Sequence, residues 1–180
     1  DGDYHGEECH NEWEITFEEI HRNNIIVYAI MQFSRVTGNK EYIAYYGLEV
    51  MIAISRFWSQ RVSFSEARQK YVLLGVTGPN EYENNVNNNW YTNYSCVQCL
   101  QSTIECLEMV AHEYPEEYNR IRRSTEFRHA EETARWKEII EKMYLPEDKE
   151  RGIFVQDDGY PDKVLGTVDD IPVNERPINP

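Results

Sequence analysis

No stretch of the 180 residues approaches the roughly 20 consecutive apolar residues that a membrane-spanning helix needs, which argues against a helical membrane protein. Basic residues are also scarce: 18 Lys and Arg stand against 32 Asp and Glu, for a formal net charge of -14. Such a surface repels a phosphate backbone and anionic lipid headgroups, so nucleic acid and membrane are set aside as partners. A Gly-rich phosphate cradle, a Gly-x-Ser-x-Gly elbow and a His-Glu-x-x-His zinc helix are all missing. Cysteine is sparse. Cys96, Cys99 and Cys106 fall near one stripe of a helical stretch, and Cys96-x-x-Cys99 has no second Cys or His pair to complete a zinc site, so no metal is expected. With Cys9 left over, the set reads as reduced thiols of an intracellular, cytoplasmic protein. No charged n-region and apolar h-region open the chain. It begins at Asp1 and stops at Pro180, and both ends read as cut from a longer polypeptide, with residues 1–180 forming part of a single domain.

What the chain does have is 41% apolar and 13% aromatic residues, the makings of a folded core. From Glu14 to about Val36, apolar residues recur at steps of three and four, which predicts one long helix. Thr37-Gly38-Asn39-Lys40 stops it, and a second periodic stretch from Glu41 to Trp58 completes a helical hairpin. Lys70 to Val76 is short and β-branched at its end and predicts a strand. A third helix begins among Asn87, Asn88 and Asn89, good capping residues, and runs to about Tyr114, where Pro115 ends it. Glu116 to Arg123 forms a short charged helix and Glu131 to Tyr144 a fourth main one. Beyond Leu145, Gly and Pro punctuate a loop-like tail with a strand at Gly152 to Gln156. Sequential antiparallel helices with functional residues in their loops suggest a mainly α fold, an α-helical toroid or bundle.

The sharpest candidate for chemistry lies in Gly75-Val76-Thr77-Gly78-Pro79-Asn80-Glu81-Tyr82, followed by an Asn-rich run into Trp90-Tyr91. Gly78-Pro79 cannot continue a helix or a central strand, so Glu81 belongs at a loop tip or bend. Asn carries both a donor and an acceptor, as sugar hydroxyls do, and Trp and Tyr offer flat faces to sugar rings. The same cluster is also what a turn-rich surface loop looks like. A carboxylic acid beside a sugar can protonate a glycosidic oxygen if an apolar setting, here Tyr82, Trp90 and Tyr91, raises its proton affinity. Cleavage then needs a second group opposite the acid, and Glu83, two residues on, is more suited to turn away or to support the next helix. In the N-terminal segment, Glu14 with His21, or His10 with Glu14, shares a helix face, but that spacing recurs by chance and solvated helix residues explain it. Asp157, Asp158, Asp162, Asp169 and Asp170 lack the spacing of a calcium loop and read as a solvated acidic stretch.

Two segments, GVTGPNEYENNVNNNWYTN (Gly75 to Asn93) and GEECHNEWEITFEEIHRN (Gly6 to Asn23), resemble the central catalytic region of glycoside hydrolase family 65. The likeness extends through RGIFVQDDGY (Arg151 to Tyr160) to ERPIN (Glu175 to Asn179), nearly the whole chain. The resemblance implies a fragment of an (α/α)6 barrel and inverting phosphorolysis of a disaccharide, maltose first. Glu81 would then be the general acid and inorganic phosphate the nucleophile and co-substrate, with no cofactor. It also implies acceptor-sugar contacts from His21 and Asn23, with Tyr82 beside the acid, and a homodimeric parent. The family's donor-gripping Trp-Asp segment would lie upstream, and its Lys-Gln pair and phosphate loop downstream, so that the 180 residues alone would have little activity. Sister phosphorylases for trehalose, kojibiose or nigerose, an inverting hydrolase, and a noncatalytic helical carbohydrate-binding module are the alternatives.

Overall fold

A computed structural model describes residues 15–164 and 166–176. Cys9, His10, Glu14 and most of the Glu175 to Asn179 motif therefore lie outside the described residues, as does the start of the first predicted helix. The chain runs α1 (Ile15–Glu18), α2 (Arg22–Thr37), a π-helical segment (Ile43–Gly47) leading into α3 (Leu48–Arg61), and an antiparallel hairpin of β1 (Ser63–Ser65) and β2 (Lys70–Val72). After a long loop come α4 (Trp90–Glu113), α5 (Pro115–Ser124), α6 (His129–Lys142) and a second small hairpin, β3 (Glu147–Asp148) with β4 (Ile153–Phe154). Three single 3-10 turns complete the tail.

The expected single helix from Glu14 to Val36 is broken at Glu19–His21. In an unbroken helix the Glu18 carbonyl would accept from Arg22 four residues on. Here it accepts from Ile20 N at 2.8 Å and from Thr77 N at 3.2 Å, while Arg22 N bonds Glu19 O at 3.2 Å. A distant loop has taken the acceptor that would have carried the helix through. Gly38, at φ 70°, closes α2 as the stop signal predicted, and Asn39 Oδ1 accepts from Tyr42 N at 3.1 Å to start the next helix. Pro115 both ends α4 and occupies the first turn of α5, where its missing N–H costs nothing. The predicted strand survives only as Lys70–Val72, because Gly75 at φ 59° turns the chain away; Val76 then forms an isolated bridge to Val86.

The core lies between α3 and α4 and is closed by α6. Leu48, Met51, Ile52 and Trp58 join Cys96, Cys99, Leu100, Leu107, Trp136 and Ile139 in one buried cluster. Each such side chain stabilises the fold by roughly 1.5–3 kcal/mol relative to exposure. α2 crosses the π-helical segment closely at Gly47, where a Cβ would stand 2.7 Å from Ile30 Cγ2. The expectation that the three helical cysteines are core residues holds: all three are free and buried, and burial pushes the Cys99 and Cys106 thiols up to about 12. α2 also carries exposed apolar residues, among them Ile25, Ile26, Tyr28, Phe33 and Val36, an apolar face larger than an isolated surface helix normally shows.

Candidate active site

The loop between β2 and α4 is held at both ends by asparagine. Asn88 Oδ1 accepts from Leu73 N at 3.2 Å, Asn87 Oδ1 accepts from Gly75 N at 3.1 Å, and Asn88 N donates to Leu73 O at 2.7 Å. Asn89 caps α4, its Oδ1 accepting from Thr92 N at 3.0 Å. The run expected to serve sugar recognition thus supplies the frame of the loop through these three residues. Paired bonds between Val76 and Val86, 2.9 Å in each direction, pinch the loop into a closed excursion with Glu81 in the turn at its tip.

The broken helix holds that excursion from the side. Glu18 Oε2 accepts from Thr77 Oγ1 at 2.7 Å and from Asn85 N at 2.7 Å, so one carboxylate binds both arms of the loop. His21 Nδ1 donates to Thr77 O at 3.2 Å, which fixes the tautomer, since the carbonyl only accepts. The His21 ring is buried and stands edge-on to Tyr91 at 5.5 Å. Burial lowers its pKa, with Arg22 adding to that effect, while the Thr77 carbonyl and Glu81 oppose it.

Glu81 itself is exposed at the loop tip, and it acts on the Glu19 carboxyl. Burial lifts the Glu19 carboxyl above its ordinary range; Arg22 opposes the rise and Glu81 adds to it. Arg22 Nε lies 3.5 Å from Glu19 Oε2. Two cavities open nearby, one at the helix break and one beside the loop. One, of about 300 Å³, is lined by Phe17, Glu19, Ile20, Arg22, Asn23 and Phe57 among others. The second, of about 250 Å³, is lined by Pro79, Asn80, Trp90, Tyr91, Phe154 and Gln156 with their neighbours. Trp90 stacks on Tyr94 at 4.8 Å and meets Phe154 at 4.5 Å, giving this cavity the flat apolar wall a sugar ring favours.

Of the residues singled out in the sequence, His21 and Asn23 sit at the break between α1 and α2 and the start of α2, and Glu81 acts on the His21 ring from the loop. Asn23 Nδ2 donates to Ile20 O at 3.0 Å and lines the first cavity. Tyr82 lies beside Glu81 in sequence but is 70% exposed, so within this chain it does not provide the apolar setting expected for the acid. Glu83 turns away, as expected, and its partner is Lys163 in the tail. Asp157 departs from the solvated acidic stretch: it is buried, and burial raises its pKa. The clamp by Glu18 and the support of Asn80 by Gln156, at 3.2 Å, carried no local signal because each joins residues far apart in the chain.

The model of the glycosyl hydrolase family 65 central catalytic domain matches residues 2–179. Maltose phosphorylase of Bacillus subtilis is 50% identical over 173 residues, which are 96% of this chain and 22% of that protein. Kojibiose phosphorylase of Thermoanaerobacter brockii is 33% identical, over 90% of this chain and 21% of its own length. A human-microbiome protein provisionally described as a kojibiose phosphorylase has a solved structure that superposes with a TM-score of 0.83 at 26% identity, covering 96% of this chain and 25% of that one. The chain thus spans about a fifth to a quarter of the relatives it matches, and its mainly helical architecture is consistent with a segment of their helical barrel. This chain belongs to glycosyl hydrolase family 65, by its match to the family's central catalytic domain.

Proposed function

We propose that the whole protein carrying this domain cleaves maltose by inverting phosphorolysis, with Glu81 as the general acid, yielding β-glucose 1-phosphate and glucose. The observation that carries the reading is the position of Glu81: a carboxyl at the tip of a doubly clamped loop whose Pro79 and Asn80 line a cavity walled by Trp90 and Phe154, in a chain half identical to a maltose phosphorylase. Glu81 protonates the interglycosidic oxygen while inorganic phosphate attacks the anomeric carbon from the opposite face. No protein base is then required, since phosphate is already an anionic nucleophile. His21, Asn23 and Tyr82 are assigned to the acceptor-sugar side. Closure of the helices into an (α/α)6 barrel, a homodimeric whole protein and a cytoplasmic setting belong to the same proposal; free buried thiols support the last.

An inverting hydrolase would need a second carboxylate roughly 6.5–9.5 Å across the scissile bond to activate water. Glu83, the next carboxylate along the loop, is paired with Lys163 instead. A trehalose or kojibiose phosphorylase is the nearest alternative, because relatives so named are 32% and 33% identical. Incubating the whole protein with maltose, trehalose, kojibiose or nigerose, each with and without phosphate, distinguishes these readings. Phosphate-dependent release of β-glucose 1-phosphate from maltose is expected, and phosphate-independent glucose release would replace the reading with hydrolysis.

A further inference from the structure

We propose that Gln156 is a positioning residue for the acid: through Asn80 it holds the turn that carries Glu81 where its proton can reach the substrate. This rests on the reading of Glu81 as general acid. Residues 80–83 form one turn, and the bonds that close it end on Asn80: Glu83 N donates to Asn80 O at 3.1 Å and Tyr82 N to Asn80 Oδ1 at 3.4 Å. Glu81 is the second residue of that turn, so it moves wherever Asn80 moves. With its oxygen taken by Tyr82 N, the Asn80 side chain directs its amide nitrogen away from the turn, and Nδ2 donates to Gln156 Oε1 at 3.2 Å.

Gln156 is a firm post for this bond. Its carbonyl accepts from Trp90 N at 2.9 Å and from Asn89 Nδ2 at 3.3 Å, at the start of the 24-residue helix α4. On one side of it Val155 N donates to Pro146 O at 3.0 Å, and on the other Asp158 N donates to Asn87 O at 3.1 Å. Its Nε2 is buried without a hydrogen-bond partner, so what the side chain gives the loop is its oxygen. The Glu18 clamp acts further off, since Thr77 and Asn85 each lie four residues from Glu81 along the chain. Nearer the tip Lys163 pairs with Glu83, but the lysine side chain is 38% exposed and solvent weakens such a pair. The bond from Asn80 to Gln156, one residue from the acid, is therefore the contact that sets where the carboxyl stands. Both residues also line the cavity walled by Trp90 and Phe154, so the acid and the wall that suits a sugar ring are built on one frame.

The test is phosphorolysis of two donors, maltose and α-glucosyl fluoride, by the whole protein as wild type, Gln156→Met, Asn80→Ala, the double variant and Glu81→Gln. Fluoride leaves with the bonding pair as a stable anion and needs little protonation, so its release reports on every part of the site except the acid. Met keeps the bulk of Gln while removing both the oxygen that Asn80 uses and a buried donor that has no partner, so folding should persist. Gln156→Met should lower kcat on maltose roughly 10- to 100-fold, as a displacement of up to about 1 Å does, with KM little changed and the fluoride rate within about threefold of wild type. The double variant should be about as fast on maltose as Asn80→Ala alone, because both substitutions remove one bond. Asn80→Ala also serves as the test should Met impair folding. An unchanged kcat on maltose, equal losses on both donors, or losses that multiply in the double variant overturn the proposal for Gln156. A Glu81→Gln variant that keeps its maltose activity, or loses the fluoride reaction to the same degree, would instead overturn the reading beneath it, so the two failures are distinguishable.

Discussion

Gly78→Ala tests whether the asparagine frame positions the acid. A Cβ on Gly78 would stand 2.3 Å from Asn89 Nδ2 and 2.6 Å from its Cγ and Oδ1, short of ordinary contact by about 1 Å. Asn89 has little room to yield. It is 2% exposed, caps Thr92 N at 3.0 Å and donates to Gln156 O at 3.3 Å. If Asn89 gives way, the cap is lost at about 1 kcal/mol and a buried Thr92 N–H is left unpaired, for a total of about 2–3 kcal/mol. If the loop gives way instead, it moves by about 1 Å and carries Glu81 with it, and a misplacement of that size costs about 100-fold in rate. Gly78 does not have positive φ, so the methyl group otherwise carries no backbone penalty and would slightly stabilise the chain. Chemical denaturation and kcat/KM of the whole protein should show one loss or the other. Stability and rate both within about twofold of wild type would refute the argument that this contact sets the position of the loop.

Glu18→Ala removes the carboxylate that binds Thr77 Oγ1 and Asn85 N, and should cost about 1–3 kcal/mol by denaturant titration and lower kcat along with it. An unchanged kcat would mean the clamp is dispensable. Burial works against the charge of Glu132, yet two hydrogen bonds from Arg56, at 2.7 and 2.8 Å, hold its pKa below the ordinary value of 4.5. A carboxylate depressed on folding contributes stability that is present above the unfolded pKa and lost as pH falls through the folded one. Glu132→Gln should therefore destabilise the domain above about pH 4.5 and have little effect at lower pH, as read by melting temperature across pH. An equal loss at all pH values would contradict the ion-pair origin.

The helices were legible where apolar periodicity and local caps agree. Leu48 to Trp58, Val97 to Leu107 and Trp136 to Ile139 all face the core as their spacing implies, and Asn89 caps α4 within the window of asparagines that signalled it. The break at Glu19–His21 was not legible, because Ile15, Phe17, Ile20 and Ile25 keep a helical rhythm straight through it. What breaks the helix is Thr77, 59 residues from Glu18, and no local pattern reports a contact of that range. The same holds for Glu18: its neighbours in sequence mark it as a helix residue, and only the returning loop makes it the acceptor for Thr77 and Asn85. Glu81 was legible because a Gly-Pro turn fixes a loop tip by local chemistry alone. β1 escaped notice since Ser63-Phe64-Ser65 is three residues long and is defined by its pairing with Lys70–Val72.

The most direct test of the account is release of β-glucose 1-phosphate from maltose and phosphate by the whole protein, wild type beside Glu81→Gln. The account predicts phosphate-dependent product from the wild type and a loss of at least about 100-fold in the variant, with folding unchanged. A variant that turns over at more than about a hundredth of the wild-type rate would contradict the assignment of Glu81 as the general acid.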